Sequence, residues 1–227
     1  MRTNPLRYRL LALCGLGCLF LSGCAGLLPP RQVYQDAVTS IRLQVDKRAR
    51  EGHSHPAHIT TEQLTQVLSG LRVVSRQGVL APIIMGKTQE YPAFSTMESQ
   101  NLALPLSRAL EQARPEELVT FYRRISDSSV GLAITSGGVF VRQTHLYVVL
   151  ANHRTLPSAG MNQNIVAEID PIDSPLLPIS RTGFRATFAS SLAVVPIDER
   201  EPWLYTDEGR VVVIDLIQLA RETPKAE

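Results

Sequence analysis

The chain has 227 residues, of which 44% are apolar and 19% are charged, and this excludes a wholly disordered or collagen-like protein. The formal net charge is +2, but residues 1–23 contain Arg2, Arg7 and Arg9 and no acidic residue. The rest of the chain has 20 basic and 21 acidic residues. Because a near-neutral domain lacks the basic footprint that binds phosphate backbones, we do not expect nucleic-acid binding.

The N-terminus has the pattern of a secretory signal peptide. Three arginines precede an unbroken apolar stretch over residues 10–21, and small residues follow. As a helix, twelve residues would measure about 18 Å, which is short of the roughly 30 Å hydrocarbon core of a bilayer. The alternative is an uncleaved signal anchor over residues 10–28, but the glycines in that segment weaken it as a helix.

The apolar stretch ends in Leu21-Ser22-Gly23-Cys24, which resembles the lipobox of bacterial lipoproteins. The resemblance implies that Cys24 receives a diacylglycerol by thioether linkage, that cleavage follows Gly23, and that the new amine is acylated. Such an anchor binds a membrane far more strongly than a single acyl chain does. In Gram-negative members of this class, a residue other than aspartate after the cysteine, here Ala25, implies transfer to the outer membrane, facing the periplasm.

Cysteine usage separates this segment from the rest of the chain. Cys14, Cys18 and Cys24 are the three cysteines, so the remaining chain contains none. A disulfide framework, a cysteine zinc site and a thiol nucleophile are therefore excluded after Cys24. We divide the chain into a signal peptide (1–23), a short tether (24–32), a single α+β envelope domain (33–222) and a polar tail (223–227).

Helical periodicity dominates the first half of the domain. Residues 34–50 carry apolar side chains at helical spacing, and Thr60 with Gln63 forms a capping-box pattern at the start of a second helix. Further helices are predicted over residues 95–113, which include Pro105, and over residues 115–125. Two short apolar runs, 71–74 and 79–85, are predicted strands.

The second half has the texture of a β-sheet. Short β-branched and aromatic runs alternate with turn residues and predict strands at 130–135, 139–142, 146–151, 184–188, 192–195, 203–205 and 211–214. A last helix is predicted over residues 216–221. The order of elements predicts an α+β fold in which N-terminal helices pack on one face of a largely antiparallel sheet formed by the C-terminal half.

The sharpest cluster of side chains with binding chemistry is His53, His55 and His58. Three imidazoles within six residues can chelate zinc or copper, and an envelope location makes metal traffic plausible. The alternative interpretation is a polar loop between two helices, because the sequence shows no clear carboxylate to orient the ligands beyond Glu51 and Glu62.

For catalysis we considered Ser136, in Ser136-Gly137-Gly138, together with His145 and His153. Neither G-x-S-x-G nor H-E-x-x-H occurs, and a glycine-rich turn explains Ser136 as well as a nucleophile does. The two histidines flank one predicted strand, about 25 Å apart, which is too far for a shared site. A hydrolase is therefore the weakest of three hypotheses, and no catalytic residue is assigned.

The first hypothesis is a lipid-anchored, non-enzymatic interaction or assembly module that binds an envelope protein at the outer membrane. The second is a periplasmic metal-binding lipoprotein that uses His53, His55 and His58. The anchor at Cys24 is common to both, and neither needs a resident cofactor other than the metal of the second.

Overall fold

The computed structural model describes residues 29–75, 90–127, 131–156, 172–179, 183–196, 199–200 and 209–222. The predicted signal peptide, the strands predicted at 79–85 and 203–205 and the polar tail lie outside these residues. The described strands and helices are, in chain order, β1 (Arg31–Gln35), β2 (Thr39–Val45), α1 (Thr61–Gly70), β3 (Leu71–Ser75), β4 (Glu90–Pro92), α2 (Thr96–Gln112), β5 (Glu117–Asp127), β6 (Gly131–Arg142), β7 (His145–Thr155), β8 (Phe184–Phe188), β9 (Val211–Asp215) and α3 (Leu216–Glu222). None of the described helices is long and apolar enough to cross a bilayer.

Two antiparallel sheets form the framework. The larger has six strands in the order β1-β2-β5-β6-β7-β9, and the smaller has the order β4-β3-β8. The predicted arrangement of N-terminal helices on a C-terminal sheet is therefore wrong. The domain begins with two strands that join the large sheet, and α1 and α2 lie between β2 and β5 in the chain.

The helices predicted at 34–50 and 115–125 are both strands in the structure. Ile41 and Leu43 of β2 both face the same core, and so do Val119 and Phe121 of β5. Leu118 of β5 is buried on the opposite face of the sheet. Because β5 is buried on both faces, it has apolar residues at neighbouring positions and its pattern imitates the spacing of a helix. The apparent helix over residues 34–50 instead combined Tyr34 of β1, the turn at residues 37–38 and alternating residues of β2.

Two predicted helix starts are confirmed, and both depend on local hydrogen bonds. The Thr60 side chain accepts a bond from the Gln63 backbone while the Gln63 side chain accepts one from the Thr60 backbone. Ser95 and Glu98 form the same capping box at the start of α2, which continues through the buried Pro105. These caps satisfy backbone N–H groups that a helix start leaves without partners.

The strand predictions of the second half are largely confirmed. The predicted strands at 71–74, 146–151, 184–188 and 211–214 correspond to β3, β7, β8 and β9, and the helix at 216–221 corresponds to α3. The strands predicted at 130–135 and 139–142 are one continuous strand, β6, so Gly137 and Gly138 are not a turn. Of residues 192–195, only Val194 bridges to the sheet, at Ile214.

The large sheet is buried on both faces. On one face Ile41, Phe121 and Leu146 share a core with α1, α2 and the small sheet. On the other face Phe140 and Tyr147 stack at 4.6 Å between ring centroids, and Leu176 and Val195 pack beside them. This double burial requires the loops to cover the second face, because it has no helix among the described elements.

We predict that Gly137→Ala strongly destabilises the protein. A Cβ atom at this position would lie 1.9 Å from the backbone oxygen of Val149 in β7, so paired strands would have to separate. We expect the free energy of unfolding to fall by at least about 3 kcal/mol in urea denaturation. Gly138→Ala is the control, because its Cβ would meet the ends of the Leu118 and Leu176 side chains at 3.0 Å and the Val119 oxygen at 3.2 Å, contacts that shifts of a few tenths of an ångström relieve. Equal losses in the two variants would contradict this account.

Candidate functional site

The three clustered histidines occupy two different environments. The segment that carries them bonds to the core: the Ser54 N–H donates to the Val141 carbonyl at 2.8 Å, and the His53 N–H donates to the Pro115 carbonyl. His53 and His55 are buried, with ring centroids 5.6 Å apart. The His58 side chain is 84% exposed, and its Nδ1 lies 3.6 Å from Oε1 of Glu111. The segment is therefore part of the cover on the sheet and not a free polar loop.

His53 is held by a buried carboxylate. Its Nε2 lies 3.0 Å from Oδ2 of Asp46, and the exposed fractions of the two side chains are 0% and 4%. The other carboxylate oxygen of Asp46 accepts a bond from the Arg48 backbone at 2.9 Å. The imidazole packs on Phe140, 4.3 Å between ring centroids. His53 is thus a hydrogen-bonded core residue that joins the 46–53 loop to β6.

His55 is a buried imidazole without a hydrogen-bond partner of good geometry. Both of its ring nitrogens lack one, as does Nδ1 of His53. Burial lowers the pKa of His55 from 6.5 to about 4; the neighbouring His53 adds to this, and the backbone of Leu110 opposes it. The neutral form is therefore strongly favoured in the native protein.

The metal-binding hypothesis gains no support from this geometry. His58 points to solvent beside Glu111, whereas His53 and His55 are enclosed. Among the described residues, no group of three or more His, Cys, Asp or Glu side chains is arranged to hold a metal ion. The orienting carboxylate that the sequence did not reveal is Asp46, and it bonds to His53.

Ser136 lies inside a buried hydrogen-bond network. Its hydroxyl donates to the Pro175 carbonyl at 2.7 Å and accepts from Nδ2 of Asn152 at 2.9 Å. Asn152 also donates to the Leu177 carbonyl and accepts from the Ile179 N–H. The network holds residues 175–179 against the second face of the sheet. Ser136 is fully buried, so its position is that of a structural residue.

The structure places the two other histidines at different ends of β7. His145 begins the strand and pairs with Arg142 and Asp215. His153, near the other end, has its Nε2 3.1 Å from the Ala93 carbonyl, and burial lowers its pKa. As predicted from the sequence, the two do not meet, and neither lies beside Ser136 in a shared network.

Sequence reasoning missed two residues that organise these regions, Asp46 and Asn152. Asp46 precedes His53 by seven residues and contacts it because the intervening loop turns back on itself. Asn152 reaches residues 177 and 179 across 25 or more positions of the chain. A polar residue at the end of an apolar strand was the available signal for each.

No family model, curated protein or solved structure matches this chain.

We predict that His55 makes the protein acid-labile. Its pKa is about 4 in the native state against 6.5 in the unfolded chain, so between these values the unfolded state binds the extra proton. Stability is therefore lost as the pH falls from about 7 towards 4, by up to about 3 kcal/mol. His153, whose pKa is also lowered, adds loss in the same direction. Urea denaturation across this pH range measures the effect.

The variant that checks the assignment is His55→Leu, which removes the titrating group and should flatten the pH dependence. The matched control is His58→Gln, because His58 is mostly exposed and should leave the dependence unchanged. If His55→Leu kept the full wild-type slope, His55 would not be its source.

Proposed function

We propose that this protein is a lipid-anchored component of the bacterial cell envelope, held at the outer membrane through Cys24 and facing the periplasm. Its domain serves as a non-enzymatic interaction or assembly module. The Leu21–Cys24 motif and the preceding apolar segment support the anchor. The start of β1 at Arg31, a few residues further on, leaves a short tether between lipid and domain.

The observation that carries the non-enzymatic interpretation is the position of the candidate catalytic side chains. Ser136 is fully buried and its hydroxyl bonds to the Pro175 carbonyl, while His145 and His153 lie at different ends of β7 and do not share its network. A nucleophile or general base must reach the substrate within hydrogen-bonding distance. These residues contribute to the packing of the domain, which favours binding over catalysis.

The edge of β1 is the surface best suited to an envelope protein partner. In the described part of the chain, β1 is paired on one side, with β2. The other edge strands are less accessible. Val194 bridges to β9 of the large sheet, and in the small sheet the Gly209 carbonyl accepts from the Ala186 N–H of β8. The remaining edge strand, β4, has only three residues and includes Pro92, which has no N–H to donate. An exposed edge strand offers backbone donors and acceptors that a partner strand can pair with.

Exposed apolar side chains accompany this edge. Tyr34 in β1 is 37% exposed, and Val38, in the turn between β1 and β2, is 43% exposed. The one charged residue of β1, Arg31, bonds to Glu117 at 2.6 Å. Its charge is therefore not placed to prevent another strand from pairing with this edge. Backbone pairing would supply affinity, and these side chains would supply specificity.

The anchor is tested by metabolic labelling with a palmitate analogue in a Gram-negative host. The wild-type protein should incorporate the label and fractionate with outer membranes, and Cys24→Ala should lose both properties because Cys24 is the only one of the three cysteines at the end of the lipobox-like motif. The control is the Cys14→Ala/Cys18→Ala double variant, which should keep the label. Labelling that survives in Cys24→Ala would refute the anchor.

The interaction surface is tested by photo-crosslinking in living cells. A benzoylphenylalanine at Tyr34 should yield a discrete adduct with an envelope protein, because this side chain lies beside the open edge. Leu177 is the matched control, since it is exposed to a similar extent, 46%. It lies on the segment that Asn152 of β7 holds against the second face of the sheet, away from the edge of β1. Adducts of equal yield at both positions, or at neither, would count against docking on β1.

A further inference from the structure

The chain enters the domain at one end of the large sheet, which we name the tether end. The strand register places Arg31, Val45, Glu117, Arg142 and Asp215 at this end. The loop that follows Val45, the turn between β6 and β7, and the start of α3 are therefore at the tether end as well. The turn between β1 and β2 and the start of β6 at Gly131 lie at the opposite end.

The length of the tether restricts which end can approach a membrane. Six residues separate Cys24 from Arg31, so their Cα atoms are at most about 25 Å apart. Leu132, at the far end of β6, lies about 30 Å further along the strand direction. If Cys24 carries the lipid proposed above, the tether end lies next to the bilayer.

A largely apolar groove opens at the tether end. Its volume is about 640 Å³. The apolar residues that line it are Ala57, Ile59, Val141, Leu216, Ile217 and Ala220. The apolar residues of α3 face in two directions: Leu219 is buried in the core, whereas Ile217 is 49% exposed at the groove. Ile217 therefore adds an exposed apolar side chain to the groove at the tether end.

A basic segment lies at the same end. Lys47, Arg48 and Arg50 follow the end of β2 and are exposed, and Arg221 stands at the groove. Of the acidic side chains at this end, Asp46 bonds to His53, Glu51 bonds to Arg142 at 2.8 Å, and Glu116 is exposed beside Asp46. Residues 47–50 contain no acidic side chain, so the exposed Lys47 and Arg50 present positive charge, which anionic lipid headgroups attract.

We propose that the tether end is a membrane-contact surface for an anionic phospholipid bilayer, where Lys47 and Arg50 meet headgroup phosphates and Ile217 at the groove meets acyl chains. This proposal rests on the lipid anchor of the proposed function. It adds an orientation: the sheet stands on the bilayer with the far ends of its strands directed away. The lipid supplies the attachment, and the protein surface fixes the orientation of the domain on the bilayer.

The test uses the lipidated protein reconstituted into vesicles of phosphatidylglycerol and phosphatidylcholine. After processing, Cys24 is acylated and the rest of the chain has no cysteine, so Ile217→Cys accepts one fluorophore. Lipids brominated on their acyl chains should quench this probe at least roughly twofold, because the label is at the bilayer surface. The control is Leu132→Cys, 48% exposed at the far end of β6, where the probe should not be quenched.

The charge requirement is tested by Lys47→Gln/Arg50→Gln in the Ile217→Cys protein. Quenching should fall towards the level measured in vesicles of phosphatidylcholine alone. If the lipidated protein floats with the vesicles but position 217 is quenched no more than position 132, the surface is refuted and the anchor stands. If the protein carries no acyl chain and does not float, the anchor and the surface are both refuted.

Discussion

Burial of both faces of the six-stranded sheet is the constraint on which the rest of the structure depends. Phe121 on one face and Phe140 on the other are both almost fully removed from solvent. The first face is covered by helices and the small sheet, which bring their own apolar side chains. The second face is covered by loop segments, and loops carry backbone polar groups that need partners when they are buried. The polar residues of the domain are arranged around that need.

Hydrogen bonds from buried side chains attach the covering loops to the sheet in two places. Asp46 and His53 hold the 46–53 loop over Phe140, and Ser136 with Asn152 holds residues 175–179 over the middle of the sheet. Residue types common in active sites thus serve to attach loops to a sheet. One consequence is that the core contains His55, whose ring nitrogens have no hydrogen-bond partner of good geometry. Burial lowers the pKa of His55, and this makes the stability of the protein depend on pH. A second is that binding surfaces lie at the margins, along β1 and at the tether end.

Burial on both faces explains two errors of sequence interpretation. Residues 115–125 were predicted as a helix because apolar residues recur at helical intervals, yet β5 lies in the sheet interior. Leu118 is buried on one face of the sheet, and Val119 and Phe121 are buried on the other. The two-residue period of apolar side chains that is typical of a strand is therefore not visible in the sequence. For the same reason Gly137 and Gly138 were mistaken for a turn: they provide close contact between strands in the middle of β6. In each case the deciding contact comes from another strand of the sheet.

The sequence by itself determined what depends on neighbouring residues. The capping boxes at Thr60 and Ser95 act within four residues, and the signal-peptide pattern ending at Cys24 is a property of one continuous segment. It also predicted β7, β8, β9 and α3, where turn residues separate the apolar runs. Only the tertiary structure decided the strand order, the burial of His53 and His55, and the position of α3 beside the tether end, because each depends on contacts between segments far apart in the chain.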